Sequence, residues 1–130
     1  MPDDLTRENR TTNRSQSMTD RELLEAAAKA AGLSIYFDDI GQCCKRIPGD
    51  IATTWLWEPL EDDGDALRLF TKLPFRNLYV SEIGVTVFLP NKEGEIGLKC
   101  DEYADEHNGD LSAATRRAIV RAAAEIGEKL

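Results

Sequence analysis

The sequence predicts an α+β domain, a small two-layer fold in which three helices cover an antiparallel sheet of about four or five strands. Three observations predict it. A complete capping signal opens an N-terminal helix, β-branched and aromatic segments separated by turn residues fill the middle, and an Ala- and Arg-rich helical pattern closes the chain. The length of 130 residues fits one such domain.

Residues 1–17 differ from the rest in composition. Leu5 is their one large aliphatic side chain after the initiator methionine, and their acidic and basic residues cancel. Such a segment buries too little apolar surface to offset the entropy of ordering it. We therefore predict a flexible N-terminal arm over residues 1–17, a single domain over residues 18–130, and a candidate second initiation site at Met18.

The first helix is predicted from its ends. Thr19 and Glu22 form a capping box, in which each side chain satisfies the other residue's free backbone N–H. Gly32 favours the left-handed conformation that ends a helix. The apolar stripe between them consists of Leu23, Leu24, Ala27, Ala28 and Ala31. Residues 33–37 then predict a strand.

Residues 38–50 are predicted as a loop because Gly41, Pro48 and Gly49 interrupt them. The β-branched and aromatic residues 53–57 predict a strand. Trp55 and Trp57 lie two positions apart, so on a strand they share one face. We expect both in the core, with an exposed aromatic pair for a partner as the alternative.

A second helix is predicted after an acidic cluster at residues 58–65 and ends at Pro74. Residues 77–80 form a short extended piece, and residues 85–89 and 95–100 predict a hairpin. An acidic connection over residues 101–110 leads to a third helix at about 112–128. The residues expected to be largely buried are Leu24, Ala28, Leu67, Phe70, Val87, Leu98, Ile119 and Ile126.

Two acidic groups are candidate docking surfaces for a basic partner. The first consists of Glu58, Glu61, Asp62, Asp63 and Asp65, and the second of Asp101, Glu102, Asp105 and Glu106. The simpler interpretation is that the first group caps the second helix and that the second is a solvated face. A net charge of −8 favours steering toward a basic partner.

Arg117 and Arg121 lie one turn apart on the third helix and so share a face. A solvated helix face explains them, and contact with a phosphate or an acidic partner is the alternative. Nucleic-acid binding through residues 112–128 and the arginines of the arm is therefore an alternative hypothesis. The net charge argues against it, because a nucleic-acid footprint is basic.

Enzyme motifs are missing from the sequence: it has no phosphate-binding loop, no dinucleotide fingerprint and no nucleophile elbow. Cys43, Cys44, Cys100 and His107 leave a small metal-dependent or thiol enzyme as an alternative hypothesis, although adjacent cysteines chelate one ion poorly. We predict no metal, no cofactor and no catalytic residue. The odd cysteine count and the absence of a signal pattern or an apolar run predict a cytoplasmic protein without a membrane span.

Three segments carry a resemblance: residues 18–24, the block WEPLEDDGDALRL at residues 57–69, and residues 114–127. Together they resemble a family of short, functionally unassigned proteins of tailed phages and prophages of Gram-negative bacteria. The resemblance implies a phage-encoded protein that acts in the host cytoplasm. It transfers no catalytic residue, because the family has none assigned.

These observations favour an accessory protein that binds a host or phage macromolecule, a protein rather than a nucleic acid or a membrane. Inhibition of a host defence or nucleic-acid-handling complex is one version of this hypothesis. The candidate partner-binding residues are Trp55, Trp57, the two acidic groups, Arg117 and Arg121.

Overall fold

The computed structural model describes residues 14–74, 77–90 and 96–130. The helices are α1 (Asp20–Ala31), α2 (Asp63–Phe70) and α3 (Leu111–Gly127), and short 3-10 helices cover Arg14–Ser17 and Ala104–His107. The strands are β1 (Ile35–Phe37), β2 (Cys43–Ile47), β3 (Asp50–Leu56), β4 (Asn77–Val80), β5 (Gly84–Pro90) and β6 (Ile96–Tyr103).

The α+β class is confirmed, with a different division of the strands. In the described residues they form two antiparallel three-stranded sheets, ordered β1-β2-β3 and β4-β5-β6, rather than one sheet of four or five. The extra strand is β2, which lies inside the predicted loop. Gly41 and Gly49 both have φ of 86° and lie in the turns just outside β2, so these residues bound a strand instead of interrupting a loop.

The ends of α1 follow the sequence prediction. The Thr19 side chain accepts a hydrogen bond from the Glu22 N–H, and the Glu22 carboxylate accepts one from the Thr19 N–H at 2.8 Å. The hydrogen bond from the Thr19 backbone N–H lowers the pKa of Glu22 because it favours the charged carboxylate. Gly32 ends the helix in the left-handed conformation, with φ of 71°.

Helix α3 is the central element. It packs against α1, α2, β5 and β6. Its buried positions occupy most of its circumference: Ala114, Ala118, Ile119, Val120, Arg121, Ala122, Ala123, Ala124, Glu125 and Gly127. Small side chains let neighbouring backbones approach closely, and a Cβ built on Gly127 would lie only 1.8 Å from the carbonyl oxygen of Ala26 in α1.

The predicted core is largely confirmed. Ala28, Val87 and Ile119 are buried, and Leu24, Phe70, Leu98 and Ile126 are partly buried against the core. The prediction for Leu67 is wrong, since it is 61% exposed. Ala66 and Leu69 define the buried face of α2, and Leu67 lies two residues from Leu69, on the opposite side of the helix.

The arm predicted over residues 1–17 lies outside the described residues up to Asn13. Its last four residues differ from the prediction, because they form a 3-10 helix against α3. Ser15 is fully buried there. Its backbone N–H donates to Glu125 at 2.7 Å, and its hydroxyl accepts from the Arg121 guanidinium at 3.1 Å. These polar contacts hold in place a segment whose composition predicts no ordered structure.

Replacing Gly127 with Ala should destabilise the protein by about 1–3 kcal/mol, although alanine favours helix, because the methyl group would push α1 and α3 apart. The matched control is Gly64→Ala in the first turn of α2, where the nearest atoms are side-chain ends of Asp62 and Arg68. That variant should stay within about 0.5 kcal/mol of the wild type. Urea unfolding measures both, and equal effects would contradict the close packing.

Candidate functional site

The hairpin of β2 and β3 carries the most distinctive exposed surface of the first sheet. Ile47 is 37% exposed, Trp55 42% and Leu56 44%. Lys45 lies directly opposite Trp55 in the strand pairing, and Arg46 follows it. We call these five residues the hairpin surface, in which Trp55 and Lys45 lie on one face of the strands and Leu56 and Arg46 on the other. It combines apolar area with two positive charges, a composition that suits recognition of another protein.

The two tryptophans have separate environments. Trp55 is held in place because its ring N–H donates to the Asp50 carboxylate at 3.1 Å. Trp57 follows the end of β3 and is 3% exposed, with its backbone N–H bonded to the Cys43 carbonyl. The expectation that both lie in the core is therefore right for Trp57 and wrong for Trp55. Trp57 belongs to the cluster of buried core residues, whereas Trp55 lies outside it.

A pocket of about 450 Å³ opens beside the hairpin surface, with Tyr36, Lys45, Arg46 and Ile47 among its lining residues. The Arg46 guanidinium stacks 4.7 Å from the centre of the Tyr36 ring. It also donates to the Ile35 carbonyl at 3.2 Å. Within the described residues, neither Lys45 nor Arg46 forms an ion pair with a carboxylate.

The acidic cluster at residues 58–65 mainly organises α2. Asp62 caps the helix by accepting from the Asp65 N–H at 2.8 Å. Asp65 is 8% exposed, accepts from the Glu58 N–H and forms an ion pair with Arg68 at 2.6 Å. The capping interpretation is thus confirmed, and Asp65 is not accessible for docking. Glu61, Asp62 and Asp63 remain exposed, and Glu58 is half-buried.

The second acidic group is divided by the extension of β6 to Tyr103. Asp101 and Glu102 are strand residues with exposures of 7% and 8%, so the solvated face expected for them is wrong. Glu102 lies two positions after the buried Cys100 on the same strand, so it also faces the core. Asp101, between them, faces the opposite side of the sheet. Asp105 and Glu106 lie in the following 3-10 helix and are exposed.

The arginines of α3 serve the fold. Arg116 donates to the Leu60 carbonyl at 2.9 Å and pairs with Asp63 at 2.7 Å. Arg117 pairs with Asp20 at 2.8 Å. Arg121, predicted to share a solvated face, is only 1% exposed and so cannot contact a partner. These contacts give no support to nucleic-acid binding through α3.

Arg121 is the centre of a buried polar network. Its guanidinium donates to the Asp101 carbonyl at 2.7 Å and to the Glu102 carboxylate at 2.6 Å. The other oxygen of Glu102 lies 2.7 Å from Nε2 of His107. His107 is therefore engaged with a carboxylate, not with a cysteine. Helix periodicity alone could not reveal this network, because its partners lie at distant positions in the chain.

The cysteines do not form a site. Cys43, Cys44 and Cys100 are all buried. Burial raises the pKa of the Cys43 thiol to about 12, so the nucleophilic thiolate is suppressed at neutral pH. Among the residues that the structure describes, no group of His, Cys, Asp or Glu side chains is arranged to hold a metal ion. The thiol-enzyme hypothesis therefore finds no structural support.

The sequence pattern does not indicate Tyr36, Lys45, Arg46 and Ile47 as binding residues, because three of them lie in a segment that it predicts as a loop and not as a strand. A usable signal was present, since glycines flank this short segment on both sides.

None of the described helices is long and apolar enough to cross a bilayer. Comparisons with family models, with curated proteins and with solved structures all returned no match for this chain. The resemblance to phage proteins therefore stays a prediction.

Replacing Arg121 with Met should lower the free energy of unfolding by about 3–5 kcal/mol, because Glu102 would stay buried without its cation. Arg117→Met removes an ion pair whose Asp20 partner is largely exposed, so its cost should stay below about 1 kcal/mol. Denaturant unfolding of both variants measures the difference. Equal losses would contradict the role of Arg121 in the network.

The three thiols should resist alkylation by iodoacetamide in the folded protein at about pH 8 and react fully in denaturant. The reason is burial of all three, together with the raised pKa of Cys43. Mass spectrometry of the labelled peptides assigns each site. Rapid labelling of folded Cys43 would contradict this expectation and would favour the thiol-enzyme hypothesis.

Proposed function

We propose that this chain is a non-enzymatic binding protein that engages another protein through the hairpin surface. The observation that carries the proposal is Trp55, which is 42% exposed and yet has its ring N–H bonded to Asp50. An aromatic side chain that is fixed before binding supplies contact area at a small cost in conformational entropy. Tryptophan is also enriched among the residues that dominate binding energies.

The charges of the hairpin surface indicate the chemistry of the partner. Lys45 of β2 is paired with Trp55 of the neighbouring strand β3, and Arg46 lines the adjoining pocket. A partner with an apolar patch bordered by carboxylates would match this surface in both respects. Nucleic acid fits less well, because the chain carries a net charge of −8 and the arginines of α3 are engaged within the fold.

The resemblance to phage and prophage proteins supports a bacterial cytoplasm as the setting of this function. The partner would then be a host or phage protein. Inhibition of a host defence or nucleic-acid-handling complex is one form that such binding would take. The absence of a recognisable enzyme motif in the sequence, together with the buried cysteines, supports binding over catalysis.

Capture from a Gram-negative bacterial lysate tests the proposal, with the tagged full-length chain as bait because Ser15 is part of the fold. Trp55→Ala should weaken binding of the retained partner by about 30-fold, the loss typical of a dominant tryptophan. The matched control is Leu67→Ala, which removes an exposed apolar side chain from α2. Titration calorimetry with the identified partner then measures each affinity.

Salt dependence provides a second readout in the same experiment. Lys45→Glu should weaken capture most at low ionic strength, because its contribution is electrostatic. If the wild type retains no protein at any ionic strength, the proposal is wrong. If Trp55→Ala and Leu67→Ala retain the partner equally well, binding does not use the hairpin surface.

A further inference from the structure

The second sheet has one face packed on α3 and one open face. Val85 and Val87 point into the core, so the intervening Thr86 points outward. Strand pairing places Tyr79, Thr86 and Asp101 in one row across the three strands of this open face. In the next row, Gly84 lies opposite Tyr103. A pocket of about 190 Å³ opens at these two rows. Its lining includes Tyr79, Gly84, Thr86, Asp101 and Tyr103, together with Ser81 and Lys99.

The carboxylate of Asp101 is incompletely satisfied within this pocket. Its Oδ1 accepts a hydrogen bond from the Thr86 hydroxyl. Its Oδ2 is buried and has no hydrogen-bond donor. The Lys99 ammonium lies 3.9 Å from Oδ2, which is an ion pair but too long for a hydrogen bond. A buried acceptor without a donor costs free energy, so a cationic donor in the pocket would be stabilised.

We propose that this pocket binds the cationic head of an arginine or lysine side chain from a partner, an alkylguanidinium or alkylammonium group. Asp101 Oδ2 supplies the acceptor, and Tyr79 and Tyr103, whose aromatic rings attract cations, line the same pocket. The net charge of −8 raises the local concentration of cations around the chain. This site uses none of the residues of the hairpin surface and does not depend on the proposed function.

Lys99 gives the proposal a distinctive consequence. Its ammonium lies beyond hydrogen-bond distance of Oδ2 and its side chain is 45% exposed, so a cation that donates directly to Oδ2 can displace it. A bound cation therefore competes with Lys99 for Asp101. Removing the Lys99 charge should therefore strengthen ligand binding. If Lys99 and Asp101 formed only a structural ion pair, the same change would produce no ligand binding at Asp101.

Titration of ¹⁵N-labelled full-length protein with N-acetylarginine amide tests the site at low salt. The amide resonances of Tyr79, Thr86, Asp101 and Tyr103 should shift saturably. N-acetyllysine amide is the second cationic probe, and N-acetylcitrulline amide is the neutral analogue that should cause no such shifts. If neither cationic probe shifts these resonances, or if the neutral analogue shifts them equally, the proposal is overturned.

Variants locate the interaction. Asp101→Asn should weaken binding of the arginine probe by about tenfold, because it removes a charge-assisted hydrogen bond. Glu106→Gln makes the same change in net charge at an exposed residue outside the pocket lining, and it should leave the affinity unchanged. Equal losses in these two variants would mean attraction by net charge alone and would overturn the proposal.

Two further variants keep the test independent of folding. Lys99→Gln should tighten binding, and weaker binding in that variant would contradict the competition. Tyr79→Leu changes a side chain that is 67% exposed and should weaken binding without unfolding the protein. Unchanged affinity in Tyr79→Leu would remove the aromatic wall from the site and contradict the geometry proposed for it.

Discussion

A charged guanidinium that is almost fully removed from solvent constrains the whole fold. Arg121 is 1% exposed, and taking such a charge out of water costs several kcal/mol unless hydrogen bonds and a counter-charge replace the water. Its partners come from the segment before α1, through Ser15, and from β6, through the Asp101 carbonyl and Glu102. Because Glu102 also contacts His107, the turn before α3 is held to the same centre.

Small side chains around this charge decide where the protein can present functional surfaces. Alanines and Gly127 let α3 approach α1, α2 and the second sheet closely, so most buried area gathers around one helix. The first sheet joins the core through Ile35, Phe37, Cys43 and Trp57. Trp55 lies outside this cluster and stays exposed.

Most of the charges that suggest binding in the sequence are used inside the fold. Asp63 pairs with Arg116, Asp20 with Arg117, and Asp65 with Arg68, so each of these charges already has a partner within the chain. The charges left over lie elsewhere and differ in chemistry. The hairpin surface offers cations beside aromatic area, whereas the open face of the second sheet offers a carboxylate oxygen that lacks a donor.

The features that the sequence alone determined are local. The capping box of Thr19 and Glu22, the end of α1 at Gly32 and the helical periodicity of α3 involve residues a few positions apart, so no distant contact is needed to specify them. The α+β class follows from the order of such elements. Tertiary structure decided the burial of Arg121 and Asp101, the exposure of Trp55 and Leu67, and the pairing that makes residues 43–47 a strand. Those outcomes depend on which distant segments pack together, and composition and periodicity carry no information about that choice.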